Sequence, residues 1–466
     1  MRAKEPPATG RYALRLAAAG VAAGVTATTV AVIPAAAQAG PAGGERAVGA
    51  WIDRNAVPLT TDPRAPLDDL GALRGIAGEA AVVGLGESTH GSREQFRAKH
   101  RMARYLVERM GFRTIAMEHD FSHGVEIDRY VTTGRGDPRE IVMGMRFPFW
   151  MSEEILDMVR WMRSYNLAHD RQVRFLGADL TRLRDRGFDE VTGYVRRVAP
   201  GRLAELERLL APLRHTDDGQ FEWYRGLTDE QRRRHIEDAR AAYDLVREVP
   251  ATAPRTAREY AEQHARTILG WYESFAEEGF SPRREAFIAD TLRWWRGTMG
   301  GGRIAYSAAS AHTSKAPAIT YRFPGGGWRA TMAGGHLHDR LGRRYVSIGA
   351  VFHQGAITSS FGPGLGSYPI AAPPPGLLDA TLGRGRRADY LLDLGAPAPG
   401  PVRSWLDAPA TARMIWPSYA GGGDGSDHVM TVPSLRGAFD GLVHIRRTTP
   451  SRLLGDQEGR AAAGAR

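Results

Sequence analysis

Six short apolar runs, separated for the most part by helix-patterned segments, constrain this chain more than anything else in it. They lie at 80–86, 114–118, 173–178, 303–307, 345–351 and 441–445. Continuous apolar runs of this length read as strands covered on both faces, and strands alternating with helices build an α/β fold with a mainly parallel central sheet. The segment after the first run is the clearest helix. Ser92 and Gln95 fit a capping box, Phe96, Ala103, Val107 and Met110 recur on one face, and Gly111 fits the C-cap. A second helix is expected over 154–164, with Ile155, Met158, Val159 and Met162 on its apolar side.

Between 201 and 299 the pattern changes. Helical stretches at 203–213, 229–249 and 257–275 follow one another with no strand between them. This block is too long for a simple crossover and reads as a helical insertion subdomain over the cleft. Trp294 and Trp295 fall on a helical pattern, as core residues with one ring available to line a cleft. From 323 to 434 Gly and Pro clusters make the chain read as loop-rich. The expected organisation is a signal peptide over 1–39, the first half of the core over 40–200, the insertion over 201–299, the second half over 300–454, and a disordered Ala/Gly/Arg-rich tail over 455–466.

Arg2, Lys4, Arg11 and Arg15 precede a weakly apolar stretch, and Ala37-Gln38-Ala39 fits a small-x-small cleavage site. The segment is too rich in Ala, Gly and Thr to read as a stable membrane span. Secretion is therefore expected, with no stable membrane insertion after cleavage. The chain carries a net charge of +10, and loss of the four basic residues and one acid of 1–39 lowers it to about +7. The remaining Arg is scattered, so no nucleic-acid partner is expected. Zero Cys excludes a disulfide scaffold, a Cys-ligated metal and a thiol nucleophile.

Ligands of open parallel sheets bind beyond the carboxyl ends of the strands. Five of the six ends carry His or ionisable groups: Glu87 and His90 in Gly86-Glu87-Ser88-Thr89-His90-Gly91, then Glu118-His119-Asp120, Asp179, His312 and His353. An imidazole can take a proton from water or a hydroxyl, and Glu87, three residues before His90, can orient that ring. Glu118 and Asp179 could position a second His or a substrate hydroxyl. Gly86–His90 departs from the G-x-S-x-G nucleophile elbow at its fifth position, so Ser88 is a poor nucleophile candidate. No H-E-x-x-H helix, P-loop or G-x-G-x-x-G appears, and no cofactor is expected.

Several of these segments, in this order, resemble the erythromycin esterase family. They are Gly86–His90, Phe96-Arg97-Ala98-Lys99-His100-Arg101, Ala116-Met117-Glu118, Phe147-Pro148-Phe149-Trp150-Met151, Phe175-Leu176-Gly177-Ala178-Asp179-Leu180, Arg284-Glu285-Ala286-Phe287, 345–349 and Phe439-Asp440-Gly441-Leu442. The resemblance covers about 47–454. It implies an α/β core with helical additions over the cleft and hydrolysis of an ester or lactone of a small molecule, macrolide-like substrates included. It implies His90 as the base that activates water, Glu87 beside it, Glu118 as a further carboxylate, and His312 as the second His of an A-H-N-A-H segment. Lys99 sits at a basic family position, and Lys99, Asp179 and His353 are expected to bind substrate. The chain departs from that segment at Ala309, where the family has the first His, and at Ser310, where it has Asn. Three alternatives stay open: a metal-dependent hydrolase using Glu87, His90, Glu118 and His312 as ligands, a ligand-binding homologue with weakened catalysis, and a structural or polyanion-binding role suggested only by charge. Oligomeric state is left open.

Overall fold

The computed structural model describes residues 42–250, 253–277, 279–359 and 365–455. The expected signal peptide and all but the first residue of the expected tail lie outside these. In chain order the strands are β1 (Ala56–Pro58), β2 (Val82–Glu87), β3 (Thr114–Asp120), β4 (Arg174–Asp179), β5 (Ile304–Ala309), β6 (Ile319–Phe323), β7 (Gly326–Ala330), β8 (Tyr345–Ser359), β9 (Gly366–Ile370), β10 (Tyr390–Asp393), β11 (Ala410–Arg413), β12 (Val429–Val432) and β13 (Gly441–Thr448). The main sheet has the order β1-β10-β13-β8-β2-β5-β3-β4. Its six neighbours from β13 to β4 are all parallel, and they are the six apolar runs. β1, β10 and β9 add antiparallel pairings at its margins.

Side chains alternate across these strands, and each face meets its own helices. Val83, Leu85, Ile115 and Ala305 pack with Phe96, Val107, Met158 and Met162 of the Arg93–Met110 and Glu153–Ala168 helices. Val82, Ala116, Ile304 and Tyr306 pack on the other face with Ile288, Leu292 and Trp295 of the Pro282–Thr298 helix. The Arg93–Met110 helix ends as expected, with Gly111 at φ 75°. Its start differs from the expected capping box. Ser92 Oγ accepts from the Gln95 amide at 3.2 Å, but the Gln95 side chain turns back to Ser88.

The helical run begins earlier than expected, at Asp185, and divides in two. Helices from Asp185 to Ser274 enclose a separate core of Phe188, Val191, Trp271 and Tyr272, which Leu180 and Phe287 join to the carboxyl end of β4. The Pro282–Thr298 helix belongs instead to the sheet, because its apolar stripe faces the strands. Trp295 is core there, while Trp294 Nε1 donates to Glu259 at 3.0 Å. The stretch read as loop-rich folds into strands too. Its β7, β11 and β12 join β6, which ends where the stretch begins, in a four-stranded antiparallel sheet of order β11-β12-β6-β7. No helix among the described residues is long and apolar enough to cross a membrane.

Candidate active site

Two glycines on one face of β2 let a neighbouring element lie directly on the strand. A Cβ on Gly84 would come within 2.6 Å of Tyr345 Oη, and one on Gly86 would collide with Ser310. The bare face seats the short Ser310–Thr313 helix that follows β5, and so brings His312 to the end of β2. The turn beyond Glu87 is held by Gln95, whose Oε1 accepts from the Ser88 amide at 2.9 Å and whose Nε2 donates to Ser88 Oγ at 2.8 Å. Ser88 is thereby a fixed hydrogen-bonding group at the base of the loop.

Glu87 is fully buried. Its Oε1 lies 2.9 Å from His90 Nδ1, and its Oε2 pairs with the Lys99 ammonium. An ionised carboxylate only accepts, so a neutral His90 carries its proton on Nδ1 and presents the Nε2 lone pair. That Nε2 lies 3.9 Å from Glu118 Oε1. Trp150 packs edge-on against the imidazole, with ring centroids 4.7 Å apart, and Phe149 and Phe147 sit at 5.9 and 6.3 Å.

The opposite face of the sheet supplies the second half of the site. His312 Nδ1 lies 2.8 Å from Glu285 Oε2, and its Nε2 lies 3.1 Å from Glu118 Oε1. Burial alone would strip the proton from His312. The two carboxylates outweigh it and raise the pKa to about 10, so His312 is an imidazolium at neutral pH. Burial likewise opposes the charge on Glu118, yet His312, His90 and Arg284 hold its carboxyl well below the usual carboxylate range. The other oxygen of Glu118 accepts from the Ala309 amide at 3.0 Å. Arg284 forks onto both oxygens of Asp179, at 2.9 and 2.5 Å, and reaches Glu118 Oε1 at 3.4 Å. Carboxylate and imidazole thus alternate through five groups, Glu87–His90–Glu118–His312–Glu285, flanked by Lys99 and Arg284.

Glu87, His90, Glu118 and His312 come together. Lys99 and Asp179 join them, but as buried ion-pair partners of Glu87 and Arg284 rather than as groups open to a substrate. His353 stands apart. β8 runs on past the sheet edge into a hairpin with β9, so residue 353 is mid-strand, with its ring against Gly383 of the Leu378–Gly383 helix. Burial, then Arg446 and Arg413, lower its pKa. His119 turns away as well, to His123 Nδ1 at 2.8 Å, and burial lowers its pKa to about 3.

Arg284 and Glu285 complete the cluster, and a search of strand ends misses them because they enter from a helix. A signal was nonetheless present. Glu285 shares the stripe of Ile288, Ala289, Leu292 and Trp295, a carboxylate on a face otherwise apolar, and all five are buried. Ala309 is buried as a member of the apolar core that also holds Tyr321 and Met332, and it puts no second imidazole at that position.

Ligand atoms of Glu87, His90 and Glu118 all lie within 4.8 Å of one another, a spacing that suits a metal ion. Their charges are already committed. Lys99 engages Glu87, while His312 and Arg284 engage Glu118, so a cation placed here would meet three fixed positive groups.

The sequence profile of the Erythromycin esterase family matches residues 107–448. Erythromycin esterase type II of Escherichia coli is 22% identical over 437 residues, covering 87% of this chain and 98% of that protein. The crystal structure of a Bacillus cereus protein is 26% identical with a TM-score of 0.76, covering 88% of this chain and 99% of the other. A mutant of the erythromycin esterase EreC in its open conformation shares the fold, with a TM-score of 0.66 and 17% identity over 86% of this chain and 99% of that one.

Proposed function

This chain belongs to the erythromycin esterase family, and from that premise we propose that it hydrolyses a carboxylic ester or lactone of a small molecule by His90-activated water. The observation that carries this reading is the Glu87–His90 pair, 2.9 Å apart, facing a charged His312 across Glu118. Water placed between His90 Nε2 and Glu118 gives one proton to each as a hydrogen bond and turns a lone pair toward the carbonyl. His90 takes the proton as the water oxygen bonds to the carbonyl carbon, and Glu87 stabilises the imidazolium that forms. The His312 imidazolium and Arg284 face the negative charge that develops on the carbonyl oxygen. Collapse of the tetrahedral intermediate breaks the ester C–O bond, and His90 returns its proton to the leaving alcohol. No covalent bond to the protein forms. A macrolide lactone is one candidate substrate, since the Escherichia coli relative is named for erythromycin.

The experiment is incubation of the chain lacking 1–39 with a panel of macrolides and simpler esters, scored by mass for the addition of one water. Turnover that His90→Ala abolishes supports the reading, and absence of any turnover removes it. A metal-assisted reading has the spacing of Glu87, His90 and Glu118 in its favour. A parallel arm with chelator separates the two, because activity lost on chelation and restored by a divalent ion selects the metal. Export is part of the proposal and is supported by the basic and apolar pattern of 1–39. A mature N-terminus at Gly40 in secreted protein is expected, and secreted chain still beginning at Met1 would reject cleavage.

A further inference from the structure

The catalytic reading leaves an aromatic cluster without a role. Trp416, 45% exposed, follows Ile415, whose amide donates to the Ser88 carbonyl at 2.7 Å. Thr89 and Ile415 form a parallel bridge, so Trp416 leaves that bridge beside His90, each being the next residue of its chain. The Trp416 ring lies 6.1 Å from Phe323 at 15° and 5.8 Å from Tyr321. Tyr321 in turn packs on Trp328 at 5.2 Å, and Trp328 stacks on Phe280 at 4.0 Å, in the loop that leads to Arg284. The His90 ring thus meets Phe147, Phe149 and Trp150, while the backbone bridge next to it leads through Ile415 into this shelf.

The chemistry of the shelf selects among ring-bearing groups. Its rings lie nearly parallel where Trp416 meets Phe323, and an offset or edge-on third ring extends such a stack favourably. Recognition of a sugar calls for polar groups around the aromatic face, and the shelf holds few. The Tyr321 hydroxyl is buried and donates to the Met414 carbonyl at 2.9 Å. Arg322 and Arg329 alternate with Tyr321 and Trp328 along β6 and β7 and so face the other side of the small sheet.

We propose that Trp416 and Phe323 form an aryl-binding subsite next to His90, so that the preferred substrate is an ester whose non-reacting part carries an aromatic ring. This inference rests on the ester-hydrolase reading and names the substrate class within it. A saturated ring of the same size has the bulk but not the π face, which makes the matched pair of phenyl and cyclohexyl esters the discriminating probe.

The test measures kcat/KM for ethyl 3-phenylpropanoate and ethyl 3-cyclohexylpropanoate with the wild-type chain, Trp416→Ala and Trp416→Phe. The wild type is expected to favour the phenyl ester, Trp416→Ala to lower the phenyl-to-cyclohexyl ratio by about tenfold, and Trp416→Phe to retain most of it. A ratio unchanged in Trp416→Ala, or no phenyl preference in the wild type, overturns the subsite. Should the wild type cleave neither ester, the hydrolase reading on these substrates is what fails, and the subsite is then read by calorimetric binding of 3-phenylpropanamide. Weaker binding to Trp416→Ala upholds the subsite, and equal binding or none to the wild type overturns it.

Discussion

Replacing Glu285 with Gln tests what holds His312 in its charged form. The amide keeps the shape of the carboxylate and an oxygen to accept from His312 Nδ1 and the Ala333 amide, now 2.8 and 3.0 Å from Glu285 Oε2. It removes one of the two charges that raise the His312 pKa to about 10. Unit charges about 4 Å apart at an effective dielectric near 20 interact by about 4 kcal/mol, which corresponds to about 3 pH units on the imidazole. The variant's His312 should therefore lose its proton near neutral pH. Loss of a positive charge facing an oxyanion costs on the order of 10²–10³ in kcat. The assay is kcat against pH from 6 to 10 for both proteins, with the His312 ring protons followed by NMR. The alkaline fall in kcat should move down by about 3 pH units in Glu285→Gln. An alkaline limb that stays where it is in the wild type would refute the argument, whatever the variant's stability.

Further outcomes follow from the same geometry. In the folded chain His312 holds its proton to about pH 10, against 6.5 in the unfolded chain, so the folded state binds the extra proton between those values. The contribution is complete below 6.5 and is lost as pH rises through about 10. The melting temperature should fall over that window, and His312→Gln should flatten the fall, whereas an equally steep decline in the variant would assign it to other groups. Asp179→Asn strips Arg284 of its bidentate partner and leaves a guanidinium, 18% exposed, with only a longer contact to Glu118. A loss of about 3–5 kcal/mol in urea unfolding is expected, and a change below about 1 kcal/mol would show that Asp179 does not neutralise it. Gly91→Ala places a methyl against the Thr358 backbone, which the loop carrying His90 crosses closely. Turnover should drop together with stability, and wild-type values for both would show that the crossing can widen.

What could be read from the sequence follows from burial. The six parallel strands are covered on both faces, so each is an uninterrupted apolar run. β6, β7, β11 and β12 form a sheet with one apolar face, are short, and include Gly326 and Gly327 within a strand, so their alternation is lost among turn residues. Glu87, Glu118 and His312 were legible because a parallel sheet collects its strand ends at one edge. His353 falls outside that rule because β8 continues beyond the edge. Lys99 and Asp179 were legible as members of the cluster, but their partners were not, since Lys99 enters from the helix on one face and Arg284 from the helix on the other. Glu285 could be read from the residue pattern by noticing a carboxylate on an apolar stripe.

The most direct measurement is turnover of the ester and lactone panel by His90→Ala beside the wild type, with chelator present in both. The proposed mechanism predicts wild-type addition of one water that chelator does not touch, and a loss of about 10²–10⁴ in kcat for the variant. Turnover of His90→Ala within threefold of the wild type would contradict it, because another group would then be activating the water.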